Sequence, residues 1–365
     1  MAADPRRTPG ASRAVTGLPS VLLTDGLFGS VEAKTAHGLL RCGERFVPVA
    51  VVDPVNAGRT TTEVITDLNL SVPIVATVAE AVAAFPGIST AVVGVSPPAG
   101  RLTDSLRRTL VDCASHSLDL VSGLHDFLAD DPAIASEAAA RGVDITDVRR
   151  TPERGLLHSW TGGIFDVAAR RVAVLGMDCI VGKRTTAQLL TSAINDRDRR
   201  AEMIYTGQTG WMQGSRYGIV LDALVDDFIT GELEHAIVQC DRHLQPDVMI
   251  IEGQSGMQNP VSPTGPNILL SADVHGVILH VMPSRRTYYG TDVAMKSVES
   301  ELTLIRAYGV PVIGISVNPS GADPCDVADL ARLCRSQSLP LADPVRDGAG
   351  VLADAVLSIT PARRR

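Results

Sequence analysis

At 365 residues the chain is about twice a typical domain length, so two domains are expected. Hydrophobic residues make up 45%, charged residues 20% and aromatics only 4%. The core must then come from Ala, Val, Leu and Ile, as in parallel sheets covered by helices. A net charge of −8 argues against a nucleic-acid backbone or an anionic membrane as partner and leaves a small molecule as the expected one.

The six cysteines, Cys42, Cys113, Cys179, Cys240, Cys325 and Cys334, form no C-x-x-C pair and read as reduced, cytoplasmic thiols. No apolar run approaches the roughly 20 residues that span a bilayer. Residues 1–17 are expected to be a disordered tail. A homo-oligomer is the default assembly.

In chain order, apolar runs predict strands at Ser20–Leu23, Phe46–Val52, Val72–Val75, Thr90–Val95 and Leu118–Val121. Helical patterns fall between them, at Val31–Arg41, Thr61–Leu68, Ala79–Phe85, Leu102–Ser115 and Pro132–Arg141. Repeated βα units imply a doubly wound parallel sheet, a Rossmann-like domain over residues 18–150. Thr24-Asp25-Gly26-Leu-Phe-Gly29-Ser30 has the form of a Rossmann-like first turn but does not spell G-x-G-x-x-G, and Asp53 after the second strand does not supply the missing fingerprint.

Residues 151–169 lapse into Arg, Pro, Gly and isolated apolars and read as a linker. A second doubly wound α/β domain is then expected over 170–365, with strands near Arg171–Leu175, Glu202–Tyr205, Val248–Ile251, Val274–Val281, Val310–Val317 and Leu339. A helix is expected to carry Asp222 and Asp226 on one face.

The strongest motif opens that second domain. In Gly176-Met-Asp178-Cys179-Ile-Val-Gly182-Lys183-Arg184-Thr185-Thr186, an apolar strand runs into a glycine-bounded loop and then a helix. Glycines let backbone N–H groups turn around a phosphate, the helix N-terminus adds partial positive charge, and the Lys183 ammonium reaches the terminal phosphates. The loop is one residue longer than G-x-x-x-x-G-K-[ST], and Arg184 replaces the hydroxyl residue that would bind magnesium. Either Thr185 or Thr186 takes over that role, or the loop holds phosphate without hydrolysing it.

Asp247-Val-Met-Ile-Ile-Glu252-Gly253-Gln254 has the form of a Walker-B strand. Glu252 there is placed to bind magnesium, to act as a base, or merely to cap the next turn. Asn318 follows another apolar strand, where its amide can read a nucleobase or simply begin the turn before Pro319. Two polar loops complete a candidate substrate wall, one with Thr209 and Gly210, the other with Arg285, Arg286 and Tyr288, whose arginines can clamp a carboxylate.

The spacing of this P-loop resembles that of dethiobiotin synthetase. The wider set Lys34–Arg41, Ser122-Gly123-Leu124-His125-Asp126-Phe127-Leu128, Gly176–Thr186, Gly207-Gln208-Thr209-Gly210 and Ile251–Gln254 resembles, across nearly the whole chain, a bacterial family of unknown function with a Rossmann-like N-terminal and a P-loop C-terminal domain. The best-known activity of that family is D-glutamate N-acetylation from acetyl-CoA. The chain departs from the family pattern at Gly256-Met-Gln-Asn259-Pro260, where a His-Pro-like pair is commoner.

The resemblance implies an acyl-CoA-dependent N-acyltransferase acting on a small amino acid. Gly176, Asp178, Cys179, Gly182, Lys183, Arg184, Thr185 and Thr186 would hold the CoA phosphates, with Asn318 beside them. Glu252 would take the amine proton, Gln208 or backbone N–H groups would steady the oxyanion, and Gln254, Thr209, Gly210, Arg285, Arg286 and Tyr288 would line the substrate. A second reading, from the dethiobiotin-synthetase likeness, is an ATP-dependent ligase or kinase with Thr185 and Glu252 on magnesium. A third is a nucleotide-sensing protein without turnover.

Overall fold

A computed structural model of the chain describes residues 17–97 and 100–359. Of the expected tail, residues 1–16 lie outside the described residues. The rest divides into two compact units, one of residues 17–151 with 208–216, the other of residues 152–207 with 217–359.

In the first unit the described strands are β1 (Leu18–Leu23), β2 (Phe46–Val52), β3 (Ile74–Val75), β4 (Thr90–Val93), β5 (Asp119–Ser122) and β6 (Ile145–Asp147). They pair in parallel in the order β3-β2-β1-β4-β5-β6, the order of dinucleotide-binding folds. Helices α1 (Lys34–Cys42), α2 (Thr61–Val64), α3 (Val78–Ala84), α4 (Asp104–Ser115) and α5 (Pro132–Arg141) connect them. Local chemistry sets their ends. At α5, the Asp131 carboxylate accepts from the Ala133 and Ile134 amides, Pro132 occupies the first turn, and Gly142 closes the helix with φ +67°.

The second unit carries β7 (Arg170–Gly176), α6 (Lys183–Asn195), β8 (Ala201–Tyr205) and, after a segment that leaves the unit, β9 (Tyr217–Gly218). That departing segment holds α7 (Gln208–Gln213). There follow α8 (Asp226–Leu244), β10 (Val248–Glu252), α9 (Gly265–Ser271), β11 (Gly276–Val281), α10 (Val298–Ala307), β12 (Val312–Val317), α11 (Pro324–Ser336), β13 (Leu341–Ala342) and α12 (Gly350–Ser358). The parallel order is β13-β12-β11-β7-β10-β8-β9, so the P-loop strand β7 lies between β10 and β11. The chain moves from β7 to β8 on one side, while β11 lies on the other. This is a topological switch, and such sheets bind ligands at the carboxyl ends of the flanking strands.

Several stretches differ from the sequence reading. The helix expected over Thr61–Leu68 stops at Val64, where Ile65 turns extended. Residues 152–169, expected as a linker, pack with the second unit: Thr161 donates its amide and hydroxyl to Glu234 Oε2, and Ile164 joins the core. Residues 208–216 join the first unit, where Met212 is fully buried among its core residues. The expected helix bearing both Asp222 and Asp226 begins only at Asp226, and Asp222 sits in a separate 3₁₀ turn, Leu221–Ala223. Among the described residues, no helix is long and apolar enough to cross a membrane.

Candidate functional site

The P-loop of the second unit is shaped by close packing. A Cβ on Gly176 would lie 2.7 Å from Lys183 Cδ, so only glycine leaves room for the lysine to fold back across the loop. Lys183 is buried and its Nζ donates to the Asp178 carbonyl. Gly182 has φ +121° and Ile180, a β-branched residue, has φ +55°. Both turn the chain toward the start of α6, whose N-terminus has no side-chain cap. Its first amides therefore suit an anion.

Beneath the loop lies a group the sequence reading missed. On adjacent strands, His280 pairs in register with Gly176 on one side and Ser316 on the other. The His280 ring bonds the Val181 carbonyl through Nε2 at 2.8 Å, and its Nδ1 lies 3.0 Å from the Thr186 hydroxyl and 2.9 Å from that of Ser316. Burial pushes the His280 pKa down to about 4, so the ring is neutral at pH 7. Nε2 must then carry the hydrogen, since a carbonyl can only accept, and Nδ1 accepts from a hydroxyl. The signal was present in the chain as a lone His and a lone Ser inside apolar strands, because buried polar groups need partners.

Asn318 shares that carbonyl: its Nδ2 donates to Val181 O at 2.9 Å, and its Oδ1 accepts from the Ser320 amide. The amide considered for a nucleobase is thus tied to the P-loop backbone.

Asp178 is fully buried and acts as an anchor within the loop. Oδ1 accepts from Asn259 Nδ2 and Oδ2 from the Tyr289 amide, each at 2.8 Å, while Arg285 stands 3.4 Å from Oδ2 and over the Tyr289 ring. Asn259 therefore holds a P-loop side chain. Arg286 turns away to pair with Asp326 on α11, and Tyr288 is buried with its hydroxyl accepting from the Lys296 amide. Cys179 and Thr185 are half-buried.

Glu252 ends β10 opposite Val174 of β7. It is buried; its Oε2 accepts from the Thr206 amide at 3.1 Å, and the Thr206 hydroxyl donates to the Glu252 carbonyl. Burial raises its pKa, and the positive charge of Arg184, then the Thr206 amide and Lys183, oppose that rise. Gln254 donates to the Thr206 carbonyl at 2.9 Å. Lys183, Arg184, Glu252 and Thr206 thus form one electrostatic cluster at the carboxyl end of β7 and β10. No group of three or more His, Cys, Asp or Glu among the described residues is placed to hold a metal ion.

Gln208, Thr209 and Gly210 lie in the first unit, on α7. Gln208 Oε1 accepts from the buried Arg149 at 2.9 Å, the Thr209 and Thr35 hydroxyls are 3.1 Å apart, and Gln213 donates to the Gly38 carbonyl. A Cβ on Gly123 would lie 2.7 Å from Gln208 Cγ. Three of the motifs quoted above, around Lys34, Gly123 and Gln208, are therefore neighbours inside this unit. Asp53 is consumed by its own loop: Oδ2 accepts from the Thr24 hydroxyl and the Phe28 amide, Oδ1 from Val55 and Asn56. No carboxylate oxygen is left to chelate a ribose, as the acid after the second strand does in dinucleotide sites.

Comparison with known proteins finds the same two kinds of domain in the same order. Residues 158–353 match the model of a domain of unknown function described as the DUF1611 C-terminal P-loop domain, and residues 54–151 match its N-terminal Rossmann-like domain. A protein of Tritonibacter scottomollicae named D-glutamate N-acetyltransferase is 33% identical over 291 residues, covering 75% of this chain and 82% of that one. A protein of the same name from a Pseudoalteromonas species is 28% identical over 286 residues, covering 72% and 79%. The crystal structure of a DUF1611 protein from Anabaena variabilis superposes with a TM-score of 0.85 at 28% identity, over 93% of this chain and 99% of that one.

Proposed function

This chain belongs to the DUF1611 family, and from that premise we propose that it is an N-acyltransferase which moves an acyl group from acetyl-CoA to the amine of a small amino acid such as D-glutamate. The observation that carries this reading is the Arg184–Glu252 relationship. In a nucleotide-hydrolysing P-loop, a hydroxyl after the lysine and the acid of the neighbouring strand share a magnesium ion. Here the hydroxyl is replaced by a guanidinium whose charge acts on that acid. Magnesium fits this pair poorly, since Arg184 already supplies the positive charge. A loop that binds phosphates without a metal suits CoA, whose phosphates are held and not cleaved.

In this reading Lys183 and the amides opening α6 hold the CoA phosphates. Glu252 accepts the proton that the acceptor nitrogen loses as its bond to the acyl carbon forms and the carbon–sulfur bond breaks; the departing thiolate is protonated from solvent. Arg285, beside Asp178, binds the acceptor carboxylate.

The test is calorimetric titration with acetyl-CoA in EDTA and, separately, with Mg-ATP, followed by an acetylation assay on D-glutamate. Metal-independent acetyl-CoA binding with release of CoA thiol supports the proposal. Binding of Mg-ATP alone replaces it with an ATP-dependent ligase or kinase.

A further inference from the structure

Three residues beyond Glu252, the backbone and the side chain of Ser255 are both in unfavourable states. Its φ is +46°, the left-handed region that a residue with a Cβ rarely adopts. Its side chain is 1% exposed, and its hydroxyl has no hydrogen-bond partner among the described residues. Buried hydroxyls are nearly always paired, and non-glycine residues held left-handed concentrate where a ligand is gripped.

The flanking glycines place Ser255 against the P-loop. A Cβ on Gly253 would lie 2.4 Å from the Val174 carbonyl, and one on Gly256 would lie 2.8 Å from that of Gly176 and 2.9 Å from that of Met177. The turn therefore runs along the first residues of the phosphate loop. Ser20 differs: its hydroxyl is also buried without a partner among the described residues, but it sits in the regular extended backbone of β1 in the first unit.

From this conjunction of strain, burial and a missing partner at the edge of the P-loop, we propose that the Ser255 hydroxyl is a ligand contact, donating a hydrogen bond to an oxygen of the molecule held in that loop. The inference rests on the P-loop being an anion site. In the acyltransferase reading, the accepting oxygen belongs to a CoA phosphate or to the thioester carbonyl, whose charge grows during acyl transfer.

The experiment uses Ser255→Ala, Ser255→Gly and the control Ser20→Ala in the full chain. It reads the melting temperature without ligand, the calorimetric Kd for inorganic pyrophosphate, CoA and acetyl-CoA, and kcat for acetyl transfer to D-glutamate. Removing an unpartnered hydroxyl leaves the unliganded melting temperature unchanged or higher, and Ser255→Gly raises it further by relieving the left-handed strain. Ligand affinity falls about tenfold in both Ser255 variants, the weight of one hydrogen bond to a charged oxygen, and is unchanged in Ser20→Ala.

A loss shared by pyrophosphate assigns the contact to phosphate. A loss confined to acetyl-CoA, or a fall in kcat alone, assigns it to the thioester carbonyl. Unchanged affinity and unchanged kcat overturn the inference, as does a lowered melting temperature with full affinity. If the wild type binds pyrophosphate and not CoA, the acyltransferase reading fails while the Ser255 contact is still decided by pyrophosphate. Binding of none of the three probes overturns both.

Discussion

Gly182 and His280 approach so closely that a Cβ on the glycine would lie 3.0 Å from the ring Nε2. The same ring atom donates to the Val181 carbonyl, so the histidine fixes the last turn of the P-loop from below. Gly182→Ala would place a side chain in a backbone with φ +121° and against this ring. The expected cost is about 1–3 kcal/mol of stability. Thermal unfolding checks this, and acetyl-CoA affinity should fall with it because the loop amides are re-aimed.

His280 also makes stability depend on pH. Its pKa is about 4 in the folded protein against 6.5 unfolded, so the unfolded chain binds more protons between those values. The contribution is fully present above pH 6.5 and is lost as pH falls toward 4, amounting to about 3 kcal/mol across the window. Urea unfolding at pH 7.5, 6 and 5 should show this slope. In His280→Gln, which keeps an N–H donor but cannot titrate, the difference between pH 7.5 and pH 5 shrinks by about 2 kcal/mol, the part of the window those values span.

Asp178 anchors two segments through separate oxygens, Asn259 on one and Tyr289 with Arg285 on the other. Asp178→Asn keeps a single acceptor and leaves Arg285 beside a neutral group. A loss of about 1–3 kcal/mol in unfolding free energy is expected. Unfolding unaffected by the substitution would show that the carboxylate is not an anchor.

Glu252→Gln removes the proposed base while keeping the volume. We expect kcat to fall roughly 10²- to 10⁴-fold with acetyl-CoA affinity little changed. Since burial raises the Glu252 pKa and the base must be ionised, the acidic limb of the kcat/KM profile should lie above the ordinary carboxylate range. Arg184→Ser removes the largest influence opposing that rise, so it should move the limb to still higher pH. A limb that stays in place would separate Arg184 from the ionisation of Glu252.

Much of the fold was legible because its signals are local. The expected Phe46–Val52 and Pro132–Arg141 coincide with β2 and α5, and in the structure Asp131, Pro132 and Gly142 set the ends of the helix. Spacing likewise exposed the P-loop, since glycines, lysine and helix start must follow one another along the chain to wrap an anion.

The tertiary structure alone decided what lies between strands and beyond neighbouring elements. Ser316 and His280 are 36 residues apart and meet only because β11 and β12 pair in that register. The segment after Tyr205 reads as part of the P-loop domain, yet Met212 is buried in the core of the first unit and Gln208 is held by Arg149, 59 residues away in sequence. Helix and strand periods are written within a few residues by backbone hydrogen bonding. The choice of which buried surface a short helix covers depends on shape and partners supplied by distant parts of the chain, which no local period records.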